Sequence, residues 1–314
     1  MARSNYYLTK SPERRYSPRG LGVLAAAALL LLLSSCTFVK VYKRDEKAPA
    51  AVQAYLQAVG RDIPKSMSAV IALGPLAMPD LRDAFATESS AEKKTRILHA
   101  AATIAKPASL LESIFAMGFT DIDPSVRHVS TFRAGQFPSL APQLHNNIRA
   151  LLRDNAQQVR SAAFSTLGSF PAPYNLTPEE LIRGMRDADF GVAAQASAIA
   201  SKRPEEKVQQ EARQSLVNLL SALEEPSPAT RAAVVYAFGQ YGKKAAAVIQ
   251  PLTIFMQREQ IAEVKLQAAL ALVRIGTPAS KKAATPTLQM FAKSKNPFIR
   301  TTAVDALTLA EGKK

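Results

Sequence analysis

An all-α fold, a solenoid of about seven stacked helical pairs, is predicted by three features of the 314-residue sequence. The composition is a helix former's, crowded with Ala, Leu, Gln and Arg, with aromatics at 7%, no Trp, and Gly (13) scarcer than Pro (20). One motif recurs about every 34 residues through most of the chain. Strand-type alternation of apolar and polar residues is missing from the repeating part. Hydrophobic residues at 47% and charged residues at 21% exclude wholesale disorder. The length allows one to three domains, and the single Cys excludes a disulfide framework, a multi-Cys zinc site and an iron–sulfur cluster.

The elements follow in chain order. Residues 1–20 carry Arg3, Lys10, Arg14, Arg15 and Arg19 against Glu13 alone. Leu21 to Leu33 is then a 13-residue run in which Gly22 is the one non-aliphatic residue. That is short for a membrane span of about 20 residues and right for a signal-peptide core of about 7–15. Leu33-Ser34-Ser35-Cys36 closes it, with the chain's only cysteine last.

This segment resembles the lipobox of bacterial lipoproteins, which implies cleavage after Ser35 and lipidation of Cys36, with Leu33, Ser34 and Ser35 read by the peptidase. Several buried acyl chains, at about 0.8 kcal/mol per methylene, make such an anchor close to permanent. Thr37 stands where an Asp retains many lipoproteins at the inner membrane, so the resemblance implies the outer membrane, facing periplasm or cell surface. Without residues 1–35 the chain keeps 35 basic and 24 acidic side chains, a net +11. Such a charge attracts anionic envelope polymers, lipid headgroups or acidic proteins, or serves solubility. The compartment leaves no nucleic acid in reach.

Residues 36–50 read as a tether and 51–314 as the repeat domain. Each repeat has an acidic residue, a turn, an apolar–basic pair and an Ala-rich amphipathic helix, as in Asp123-Pro124-Ser125-Val126-Arg127 or Gln157-Gln158-Val159-Arg160. Taking Arg96, Arg127, Arg160, Ala193, Arg231, Lys265 and Arg300 as equivalent gives a mean spacing of 34. Six residues before the base lies an acid: Asp121 for Arg127, Asp154 for Arg160, Glu225 for Arg231 and Glu259 for Lys265, while Asp187 persists before Ala193. Ala134-Gly135, Leu167-Gly168 and Phe238-Gly239 follow as a core residue and a helix-ending glycine. The array is expected to end on one helix, 297–310, with Thr301, Thr302, Asp305 and Thr308 as a polar outer face.

The Asp…Val-Arg-x-x-Ala…Leu-Gly pattern resembles HEAT repeats, in particular the short bacterial kind also found in phycobilisome lyases, over roughly residues 66–314. The resemblance implies an α-solenoid whose Val-Arg helices line a concave surface.

Two roles compete for the acid–base series. Evenly spaced guanidiniums suit a polyanion. Alternatively, each acid caps its turn and accepts from the following base, forming a ladder of pairs between repeats. Taking the base as zero at 100° per residue, positions +1 and +5 turn away from the core, where His128, Phe132 and Tyr236 stand. They are candidate partner contacts or aromatics wedged against the neighbouring repeat. His99, His128 and His145 have no His or Cys at ligand spacing, so no metal site is expected. The sequence has no nucleophile elbow, phosphate loop or dinucleotide fingerprint, and no cofactor is expected. The expected function is a non-enzymatic, lipid-anchored scaffold that presents its concave helices to a protein partner in the envelope. An electrostatic binder of anionic envelope polymers or headgroups is the alternative, and an enzyme acting on envelope components comes third.

Overall fold

Helix starts recur through the chain because prolines and capping side chains are placed to make them. The computed structural model describes residues 45–312, so Leu33, Ser34, Ser35 and Cys36 lie outside the described residues. Helices α1 (Ala48–Gln57) and α2 (Asp62–Leu73) form the first pair, and α3 (Met78–Thr87) and α4 (Ala91–Ile104) the second. Helices α5 (Ala108–Phe119), α6 (Pro124–Ala134), α7 (Ala141–Leu151) and α8 (Gln157–Ser169) make the next two. Then come α9 (Pro178–Met185) with α10 (Phe190–Ala200) and α11 (Glu206–Asn218) with α12 (Pro228–Gln240). The last are α13 (Ile249–Arg258) with α14 (Ala262–Ile275) and α15 (Pro278–Phe291) with α16 (Pro297–Glu311). Among the described residues these are eight pairs and no strand.

Two expectations change. Helix α1 begins at Ala48, inside the stretch read as tether, with Pro49 in its first turn. The final helix is the second member of a full pair, because α15 precedes it and packs on it.

Starts are fixed locally. Asp123, Asp189, Ser227 and Asn296 accept backbone N–H groups at the starts of α6, α10, α12 and α16. Thr177 and Glu180 form a reciprocal capping box on α9. Consecutive even-numbered helices pack side by side from α4 to α16, and the odd-numbered helices form a second row against them. Leu98, Phe164 and Val235 of the even row and Leu144, Leu181, Leu252 and Leu288 of the odd row are buried in the shared core.

Gly135 ends α6 as its C-cap, whereas the other two glycines after the core residue do different work from the one expected. Gly168 and Gly239 lie inside α8 and α12, and neither they nor Gly135 needs a left-handed backbone. A Cβ on Gly168 would come within 2.7 Å of Ile199, and one on Gly239 within 3.1 Å of the Ala271 backbone. Their small size lets the next even helix approach.

The register is also regular beyond expectation. The fourth residue of every even helix is Lys65, Lys94, Arg127, Arg160, Ala193, Arg231, Lys265 and Arg300 in turn. The second-repeat member is therefore Lys94, not Arg96, and from Lys94 to Ala193 the spacing is a constant 33 residues. Arg96 points back instead, and its Nη1 donates to the Ala58 carbonyl at 2.7 Å. The single long interval has one cause. Nine residues, including the 3₁₀ turn Ser221–Glu224, link α11 to α12, where other pairs use three to five.

Candidate functional site

The repeated acid and base sit at the turn between the two helices of each pair, and the turn decides which edge of each guanidinium is free. Arg127 Nη1 donates to the Asp121 and Ile122 carbonyls of its own turn, at 2.9 and 3.0 Å. That closes one edge of the guanidinium against its own repeat. The opposite edge, Nε and Nη2, meets the Asp154 carboxylate of the next repeat at 2.7 and 2.8 Å. Arg160 grips Asp187 at 2.9 and 2.8 Å, and Arg231 grips Glu259 at 2.8 and 3.1 Å, by the same two-pronged geometry. Lys94 reaches Asp121 at 2.6 Å.

Lys94, Arg127, Arg160 and Arg231 thus each pair one repeat forward. The pairs run between repeats, from each of these bases to the acid of the next turn, because the carbonyls of an arginine's own turn already occupy the near edge of its guanidinium. The acids also hold their own turns. Asp121, Asp154, Asp187 and Glu259 each accept the N–H two residues on, all at 2.9 Å. Burial pushes the Asp154 carboxyl up, but Arg127 and the Ala156 N–H hold it below the usual carboxylate range. Glu259 is set the same way by burial against Arg231 and the Ile261 N–H.

Beyond Lys94 the ladder is interrupted twice. Ala193 offers no base, and Glu225 in the following turn makes no ion pair among the described residues. At the C-terminal end Ser294 replaces the acid that Lys265 would meet, and Arg300 has no following rung.

The three aromatic candidates divide between packing and exposure. His128 Nδ1 lies 2.9 Å from the Gln158 carbonyl at the start of α8, so this ring bridges to the next repeat. Phe132 stacks on His128 at 6.4 Å between centroids and stays 53% exposed. The Tyr236 ring lies under the Arg274 guanidinium of α14, 5.6 Å away, and remains partly exposed. With Lys94 in register, His99 joins Phe132 and Tyr236 at the +5 position, and its Nδ1 accepts from Arg133 Nε at 3.0 Å. Burial first and Arg133 second hold the His99 ring below the usual histidine range. His145 caps back onto the Ala141 carbonyl of its own helix. Among the described residues no group of three His, Cys, Asp or Glu side chains could hold a metal ion. No helix among them is long and apolar enough to cross a membrane.

A cleft of about 740 Å³ opens beside the interrupted rung. The long α11–α12 link forms one wall with Leu220 and Leu223, and α13 forms the other with Ile254 and Phe255. Glu225, Glu224 and Arg258 stand on its rim, and the closed Arg231–Glu259 rung lies at its edge. Ile254 and Ile261 are both exposed apolar side chains here.

The family model for HEAT repeats matches residues 216–308. These are HEAT-like repeats. An X-ray structure of the Escherichia coli protein YibA is similar over 95% of this chain and 99% of its own, with 14% identity and a TM-score of 0.50. An engineered protein matches with 19% identity and a TM-score of 0.41, over 93% of this chain and 80% of its own. Human deoxyhypusine hydroxylase, solved with glycerol, matches with 19% identity and a TM-score of 0.35, over 85% of this chain and 96% of its own. A comparison with curated proteins finds no match.

Sequence reading missed two parts of this HEAT-like surface. Lys94 was legible from the constant 33-residue spacing, had it been preferred to the nearby Arg96. The cleft had one trace, the 38 residues from Ala193 to Arg231, and its apolar walls come from residues 31 to 35 apart that no local pattern joins.

Proposed function

We propose that this chain is a lipid-anchored scaffold of the bacterial envelope, held at the outer membrane through Cys36, whose HEAT-like repeats bind a protein partner rather than carry out catalysis. The observation that supports binding is the apolar-walled cleft at the interrupted rung. Ile254 and Ile261 are its exposed apolar side chains, and a bound segment that covers them recovers about 25 cal/mol per Å² of apolar surface removed from water. Glu225, which lacks a base from its own ladder, lines the same opening and favours a cation on the incoming segment. The even-row aromatics serve this reading less well, since His128 and Tyr236 already contact the following repeat.

The test is a photoreactive residue at position 254 in the full-length chain, crosslinked in intact cells and followed by membrane fractionation and mass spectrometry. One protein adduct from the outer-membrane fraction, lost with Ile261→Asp, is expected. Adducts with polysaccharide or lipid in its place, or a protein adduct obtained equally from position 132, overturn the assignment of the cleft. Cys36→Ser is expected to move the protein from the membrane to the soluble fraction, and retention at the membrane refutes the anchor.

A further inference from the structure

The charge of the described repeats is confined to one end. Residues 45–240 hold 20 basic and 20 acidic side chains, whereas residues 241–312 hold 10 basic and 4 acidic. The ladder opens at that same end. Arg300 Nη1 donates to the Ser294 carbonyl at 2.9 Å, as the closed-rung arginines do to their own turns. Its Nε and Nη2, the edge that grips a carboxylate in Arg127, Arg160 and Arg231, have no carboxylate partner among the described residues. The guanidinium is therefore oriented for an acid that the described residues do not supply. Lys293 and Lys295 flank Ser294 and are exposed.

The apolar side of the same face is open too. From α4 to α14 the residues four after the base, Leu98, Thr131, Phe164, Ser197, Val235 and Ala269, are at most 1% exposed. Their counterpart on α16, Val304, is 46% exposed. The outer face expected to be polar thus carries an uncovered valine one helical turn from the open guanidinium.

We propose that the C-terminal face of α16, centred on Arg300 and Val304, docks an acidic segment of a partner protein whose carboxylate completes the open rung while an apolar side chain covers Val304. This surface is separate from the cleft, and neither depends on the other. A second copy of the chain is a poor occupant for two reasons. Its own C-terminal end repels this one, and its first repeat carries Val59, not an acid, six residues before Lys65. A lipid surface would answer the charge but has no need of the two-pronged edge.

The experiment uses the purified chain with its lipid-modified terminus in detergent and a fluorescein-labelled peptide of alternating glutamate and leucine, read by anisotropy. Binding is expected to weaken about tenfold in Arg300→Gln and again in Val304→Asp, and to fall as salt is raised. Lys47→Gln, a lysine at the opposite end, is expected to leave it unchanged. Equal binding by wild type and Arg300→Gln overturns the proposal, as does equal binding of the peptide with glutamine for glutamate. Two further results also overturn it: phosphatidylglycerol vesicles that compete the peptide off the wild-type chain yet bind Arg300→Gln as well, and a concentration-dependent dimer that occludes the face.

Discussion

The central repeats, α5 to α10, and the last pair, α15 and α16, use one backbone plan with opposite results at the turn. In the centre each guanidinium is spent twice, on its own turn and on the next repeat's acid, and the residue one turn further is buried. At the C-terminal end the same two positions are Arg300 without a carboxylate and Val304 without a cover. A motif that looks uniform in sequence is thus buried and paired where a following repeat receives it and left exposed on α16. In a linear array each repeat contacts only its neighbours, so a change of role needs only a change of neighbour.

The widest contrast between the two regions lies in packing. Phe164→Ala, beneath Gly184 in the central stack, is expected to destabilise by about 3–5 kcal/mol, while Val304→Ala at the equivalent position should stay within about 0.5 kcal/mol. Urea unfolding followed by circular dichroism measures both, and similar losses would mean that the end face is covered after all. The ladder comes next. Arg160→Gln removes a two-pronged rung and is expected to lose about 2 kcal/mol, against about 0.5 kcal/mol or less for Lys265→Gln. If the two variants melt together, the distinction between closed and open rungs fails.

Acid should expose the same difference. The Asp154 and Glu259 carboxyls sit below their ordinary values in the folded chain, so their contribution is present above about pH 4 and is lost as pH falls through the folded-state value. His99 acts earlier. Its depressed folded-state value means that the unfolded chain protonates first, so stability declines as pH drops below about 6.5. Melting scans of wild type and His99→Gln between pH 7 and 5 are expected to diverge, with the variant flatter, and parallel curves would remove His99 from the account. The smallest effect is a repair. Ser294→Asp places an acid where Lys265 lacks one and is expected to stabilise by about 0.5 kcal/mol at low salt, fading as salt rises.

Much of this was legible from residue order. The recurring Asp-turn-Val-Arg motif located α6, α8, α12, α14 and α16, because caps and amphipathic spacing act within a few residues of one another. Gly168 and Gly239 show where that reasoning stops. The sequence pattern marks them as special, but a helix-ending glycine and a close-packing glycine look alike until the neighbouring helix is in place. Lys94 and Arg96 pose the same problem two residues apart, since either satisfies a basic position and only one faces the next turn.

By itself the amino-acid order determined the helical pairs, their period and the identity of most rung residues, all products of short-range hydrogen bonding and apolar periodicity. Tertiary structure alone decided that Lys94, Arg127, Arg160 and Arg231 pair forward, that the cleft opens where nine residues link α11 to α12, and that the ladder ends unpaired at Arg300. The reason is range. A guanidinium's partner 27 residues away is chosen by how consecutive repeats stack, and stacking is a property of surfaces that no single repeat contains.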